Sequence, residues 1–119
     1  MLIVDEYLKK YLGRKVTVTI DRKMGSKHPQ WGFIYPINYG YLEGTLAQDG
    51  EEVDAYIVGE FAPVDTYKGY VVAIVKRFND VEDKLVVCDT LNRYSKDQIA
   101  ALTEFQERYF KTIIEMYND

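Results

Sequence analysis

From Lys15 to Asp21 the chain alternates strictly, with Val16, Val18 and Ile20 on one side and Thr17, Thr19 and Asp21 on the other. A period of two marks a strand with one buried face, so this stretch predicts a first strand. Before it, Val4, Leu8, Tyr11 and Leu12 recur at helical spacing across residues 3–12, and Gly13 follows where helices commonly end, which predicts a short opening helix. Residues 33–41 place Phe33, Tyr35, Ile37, Tyr39 and Tyr41 on one parity while Pro36, Asn38 and Gly40 interrupt the other, the pattern of an irregular extended segment. Val53 to Val58 and the Val- and Ile-rich stretch from Gly69 to Lys76 predict two further strands. Asn79-Asp80 marks a turn, and Lys84 to Cys88 forms the return strand of a hairpin.

Near the C-terminus, Ser95 followed three residues later by Gln98 makes a capping box. Ile99, Leu102, Phe105, Tyr109, Ile113 and Met116 then form one apolar stripe, which predicts a single long helix. Several short strands followed by one long helix point to a small β-barrel or curled sheet with the helix packed on it. No repeat, low-complexity tract or linker divides the 119 residues, so one domain over 1–119 is expected.

Composition narrows the chemistry. Hydrophobic residues make up 47% of the chain and charged residues 29%, with 3 Pro and 8 Gly, which excludes a disordered or collagen-like chain. The single cysteine, Cys88, excludes an intramolecular disulfide framework, and the single histidine, His28, excludes a zinc site built on several His and Cys ligands. A bound metal would be held by oxygen. The net charge of −4 weighs against a nucleic-acid partner, whose phosphates need many Lys and Arg on one face. The N-terminus lacks a signal-peptide core and no run of eighteen apolar residues occurs, so no membrane partner and a cytoplasmic setting are expected.

Within Asp49-Gly50-Glu51-Glu52-Val53-Asp54, four carboxylates crowd into six residues at a loop-to-strand junction. Such crowding persists in a fully solvated turn or around a divalent cation. It is not an EF-hand, because Asp54 stands where that loop requires Gly, and Glu60, at the twelfth position, lies beyond a strand. A second acidic group, Asp80, Glu82 and Asp83, sits at the hairpin end directly before Lys84. Were the two groups to meet in space, they would form an oxygen-lined cage suited to Mg²⁺, which takes one or two carboxylates and completes its shell with water and phosphate. The tyrosines of the 35–41 segment are either core or neutral donors to phosphate oxygens. Arg22, Lys23, Lys27 and Lys111 are candidate anion clamps or plain surface charge. His28 before Pro29 reads as a turn residue and Cys88 as a buried strand residue. Neither a nucleophile–histidine set nor a GxxxxGK[ST] loop is present.

Tyr35-Pro36-Ile37-Asn38-Tyr39-Gly40-Tyr41, then Gly44-Thr45-Leu46, then Asp49-Gly50-Glu51-Glu52-Val53-Asp54 resemble the soluble, metal-dependent inorganic pyrophosphatases of the β-barrel type, with their YPxNYGY lead-in and DGDPxD signature. The resemblance implies that Asp49 and Asp54 bind activating metals, and that Glu51 stands where the family has the Asp that helps activate water. Tyr39 would contact phosphate or metal-bound water. The hairpin end would supply Asp80 and either Glu82 or Asp83 as further metal ligands and Lys84 as a phosphate contact. Lys27 falls at the position of a phosphate-binding Arg and Tyr109 at that of a phosphate-binding Tyr. Three departures stand out. Glu51 replaces Asp; Phe110 follows Tyr109 where Lys is expected, with Lys111 adjacent; and too few residues separate Ile20 from Lys27 for the family's early Lys- and Glu-bearing hairpin. Arg22 and Lys23 are the nearest replacements.

The expectation is an α+β, mainly β fold: an OB-like five-stranded β-barrel with a short N-terminal helix and a long C-terminal one. Its expected activity is hydrolysis of inorganic pyrophosphate with Mg²⁺, or Mn²⁺ in its place. Glu51, Asp54 and Lys84 are the expected catalytic residues; Lys27, Tyr39, Lys84, Tyr109 and Lys111 would bind substrate; Asp49, Glu51, Asp54, Asp80, Glu82 and Asp83 would hold metal. The alternatives are a hydrolase of another diphosphate and a non-catalytic metal- or phosphate-binding barrel. Both a monomer and a homo-oligomer are compatible with the sequence.

Overall fold

A computed structural model of the protein describes residues 4–47, 49–78 and 82–119. The elements run α1 (Val4–Lys9), β1 (Lys15–Arg22), β2 (Tyr39–Leu42), β3 (Val53–Ile57), β4 (Thr66–Arg77), β5 (Lys84–Cys88), α2 (Lys96–Glu107) and β6 (Thr112–Met116). The strands neighbour one another in the order β1-β2-β3-β5-β4, and β4 pairs back onto β1, which closes a five-stranded barrel consistent with the OB-like expectation. Among the described strands only β3 and β5 pair in parallel.

Alternation along these strands separates two cores. Val18, Ile20, Leu42, Val53, Ala55, Ile57, Val71, Ile74, Leu85 and Val87, with Leu8 from α1, fill the barrel. The other parity of β3, β4 and β5 contributes Tyr56, Val58, Val72, Ala73, Val75, Val86 and Cys88 to a second cluster outside it, with Ile99 of α2. β5 is buried on both faces, which accounts for its continuous apolar run after Lys84.

Two irregularities break the alternation. In β4 the register against β5 shifts between Val71 and Ala73, so Val72 is an extra residue, and Val75 and Arg77 come to face outward. In β1 the register against β2 shifts between Ile20 and Arg22, which sets Arg22 opposite Tyr39. Both are β-bulges, which re-aim the residues that follow them.

The single long C-terminal helix expected from the apolar stripe is corrected. α2 ends at Glu107, with Arg108 as its C-cap, and Thr112–Met116 form β6. The reason lies in β4: β1 pairs with Thr66–Tyr70, leaving the same edge unpaired from Ala73 to Arg77, and β6 supplies the missing partners there. Thr112, Ile113 and Ile114 are β-branched and suit a pleated edge. Ile114 and Met116 pack on the outer core at period two, while Ile113, which the helical stripe placed with them, is exposed. The capping box at the start of α2 is formed as expected.

At Gly40 the strands approach so closely that a Cβ would collide with the backbone carbonyl of Thr19. Gly40→Ala should therefore lower stability by about 1–3 kcal/mol, read as a lower urea midpoint at unchanged slope. Gly44→Ala, where no atom lies within 4 Å of the added carbon, is the companion that carries only backbone strain and should cost less. Equal losses would remove the close approach as the cause.

Candidate active site

Outward-facing residues from all five barrel strands meet beside α2. Asp21 and Arg22 come from the β1 bulge, Tyr39 from β2, Asp54 from β3, Arg77 from β4 and Lys84 from β5; Glu82 lies just before β5. They line a cavity of about 270 Å³ together with His28, Trp31, Tyr35, Gln106 and Phe110.

The hub is Lys84. Its side chain is 2% exposed, and Nζ donates to Asp54 Oδ2 at 2.8 Å and to Glu82 Oε1 at 3.2 Å. Tyr39 donates its hydroxyl to the same Asp54 Oδ2 at 3.0 Å. The two acid-rich stretches, distant in sequence, therefore meet on one ammonium. Tyr39 stays neutral: burial, then the Asp54 charge and hydrogen bond, push its pKa well above the usual tyrosine value.

Behind this hub lies a buried ion pair. Arg77 donates through Nε and a terminal nitrogen to Glu107, at 2.9 and 2.7 Å, and its guanidinium stacks 3.7 Å from the centre of the Phe110 ring. Burial opposes the Arg77 charge, but the Glu107 carboxylate outweighs it and raises its pKa. Glu107 also accepts from the Tyr56 hydroxyl at 2.6 Å; Gln106 donates to that hydroxyl and accepts from Tyr35. On the open side, burial pushes the Asp21 carboxyl up, Arg22 pulls it down and Asp54 raises it again.

The expected site residues divide by position. Asp54, Glu82, Lys84 and Tyr39 come together in the cavity. Asp83 accepts from the Arg77 backbone at 2.9 Å behind it. Asp49 and Glu51 lie on the exposed turn before β3, where Asp49 Oδ1 accepts from the Glu51 amide, and they are not among the described residues that line the cavity. Neither are Lys27, Tyr109 and Lys111. Tyr109 is an exposed residue packed 5.1 Å from Trp31. Asp80 lies outside the described residues. Of the two suggested replacements for the missing hairpin, Arg22 reaches the cavity, while Lys23 pairs with Asp65 at 2.6 Å.

The profile of the family described as inorganic pyrophosphatase matches residues 12–119. The chain belongs to that family. An inorganic pyrophosphatase of Neisseria meningitidis serogroup B is 30% identical over 86 residues, 68% of this chain and 48% of that protein. Another, from Campylobacter jejuni, is 39% identical over 44 residues, 37% of this chain and 23% of that one. The chain thus spans about half the length of the first of these relatives and less of the second. In fold it is similar to an inorganic pyrophosphatase from Ehrlichia chaffeensis, with a TM-score of 0.69 at 16% identity over 87% of this chain and 86% of that one.

The family is in general metal-dependent, and the donor set fits a hard divalent cation. Asp54 spends Oδ2 on Lys84 and Tyr39, and Glu82 spends Oε1 on Lys84 and Arg77, so no described residue bonds Asp54 Oδ1 or Glu82 Oε2. Both carboxylates are partly exposed, at 33% and 43%. No group of three or more described His, Cys, Asp or Glu side chains is arranged to hold an ion by itself. Two carboxylates sharing a cation with water and phosphate are the arrangement that Mg²⁺ commonly adopts.

Arg77, Glu107, Gln106 and Tyr56 were missed by sequence reading. The one signal was charge at core-facing positions: an arginine ending a Val- and Ile-rich strand, and a glutamate among the apolar positions of a packed helix.

With Arg77 3% and Glu107 5% exposed, Glu107→Gln removes one partner of a buried pair and should cost about 3 kcal/mol. Asp65→Asn breaks the exposed pair with Lys23 and should cost under about 1 kcal/mol. Both are read by urea unfolding; comparable losses would contradict the assignment of Arg77–Glu107 as the structural pair.

Proposed function

We propose that this cavity hydrolyses inorganic pyrophosphate to two phosphates with Mg²⁺. The reading rests above all on Asp54 and Glu82 converging on Lys84 inside a cavity that also holds Arg22 and Arg77. Three cations in one pocket are a clamp for a polyanion, and the carboxylates among them provide metal-binding oxygens.

Each residue has a distinct task. Asp54 Oδ1 and Glu82 Oε2 would hold the ion, which, when bound, neutralises phosphate oxygens and acidifies water at the site. Lys84 and Tyr39 grip Asp54 through Oδ2, which restrains the carboxylate and leaves its other oxygen for the ion. With both oxygens of Asp54 so engaged, Asp21, which lines the same cavity, would accept the proton of attacking water. Asp21 suits that role because burial raises its pKa, which makes it a better base than an ordinary aspartate. Arg22 and Lys84 steady the charge that builds on the departing phosphate. Arg77 adds positive potential from behind, its geometry fixed by Glu107. On this reading Asp49 and Glu51, on the turn before β3, are not ligands within the described cavity.

The expected outcome is phosphate release from pyrophosphate that requires Mg²⁺ and falls at least about 100-fold in kcat in Asp54→Asn. Wild-type protein no faster than that variant, in Mg²⁺ or Mn²⁺, would remove the proposal. Faster release from an organic diphosphate than from pyrophosphate would keep the chemistry and replace the substrate.

A further inference from the structure

His28 forms the turn expected of it, but it does so with one edge of its ring only. Nδ1 accepts the backbone N–H groups of Gln30 and Trp31, each at 3.1 Å. A nitrogen that accepts two hydrogen bonds carries no proton, so in the neutral ring the proton sits on Nε2. The tautomer is thereby fixed by the backbone.

The ring's orientation is fixed as well. It lies nearly parallel to Trp31 and Tyr35, with centroids 5.0 and 6.2 Å away and interplanar angles of 13° and 12°, and Phe33 packs at 4.9 Å. His28 lines the cavity with Arg22, Lys84 and Arg77. No described residue accepts from Nε2, so a donor of fixed tautomer borders a pocket lined by three cations, Arg22, Arg77 and Lys84, and three carboxylates, Asp21, Asp54 and Glu82. Burial and then the neighbouring Arg22 charge lower the His28 pKa, which favours the neutral ring at pH 7.

We propose that His28 binds substrate: its Nε2–H donates to an oxyanion oxygen of the pyrophosphate, and of the product phosphate, held in this cavity. The inference rests on the hydrolase reading above. A neutral donor adds a directed hydrogen bond without adding charge, so it supports the phosphate without competing with the bound cation for the carboxylates. It supplies part of the grip that the shortened segment after β1 leaves out.

Asparagine and glutamine divide the two edges of the imidazole. His28→Asn places a carbonyl oxygen near Nδ1 and can keep the turn, whereas His28→Gln places an amide N–H near Nε2 and can keep the donation. With pyrophosphate, His28→Gln should stay within about threefold of the wild-type KM, while His28→Asn should raise it on the order of tenfold, the effect of losing one hydrogen bond to a charged group. The reverse order, with Asn harmless and Gln impaired, would reduce His28 to a turn residue and overturn the proposal.

A second measurement does not depend on turnover or on the variants folding. The lone histidine gives one set of imidazole ¹⁵N signals in the wild-type protein. They should report the Nε2–H tautomer, and titration with inorganic phosphate should move Nε2 more than Nδ1. An Nε2 signal that phosphate leaves unmoved overturns the inference even in an active enzyme. An Nε2 shift in a protein that fails to hydrolyse pyrophosphate would uphold the phosphate contact and sink only the hydrolase reading.

Discussion

An ammonium group almost wholly removed from solvent governs this molecule. Lys84 opens a strand whose side chains are all buried, and its charge is tolerable there only because Asp54 and Glu82 meet it at hydrogen-bond distance. That requirement has structural reach. Asp54 and Lys84 sit side by side because β3 and β5 pair in parallel, one residue before Ala55 and Leu85 face each other. Glu82 ties the hairpin end to the same point. Loss of the shared cation would leave two facing carboxylates to repel across the seam of the barrel.

The barrel explains why polar groups gather on its outside. Its interior is filled by aliphatic side chains from every strand, and the outer face is covered by α2 and β6 over only part of its area. Where the cover ends, outward-facing positions from adjacent strands lie close together with room between them. There the chain places ionisable groups, backed by the Arg77–Glu107 pair and its tyrosine and glutamine partners. These partners leave the guanidinium little freedom to turn. The positive wall of the cavity is rigid for that reason.

Much of this was legible in the chain. Alternation located β1 within a residue, the return strand of the hairpin matched β5, and Ser95 with Gln98 fixed the start of α2. The convergence of Asp54 with the hairpin end could be posed from the chain only as a condition, since charge concentrated in two places does not say that the two places meet. The end of α2 was not legible, because Phe105, Tyr109, Ile113 and Met116 satisfy helical spacing while the last two serve a strand whose partner is forty residues away in sequence. The roles of Gln106 and Glu107 were hidden likewise, since their burial follows from hydrogen bonds to Arg77 and Tyr56 that no local pattern encodes. Asp49 and Glu51 show the converse: a crowded acidic string need not project all its members into one cavity.

Both arginines that border the cavity follow an extra residue in their strands, Asp21 before Arg22 and Val72 upstream of Arg77. A pleated strand is read two residues at a time, so a single inserted residue acts as a frameshift in side-chain direction. Held in a regular pleat without those bulges, the same residues would turn each guanidinium toward the aliphatic lumen. The polarity of the pocket is therefore written in the spacing of the backbone as much as in the identity of its residues.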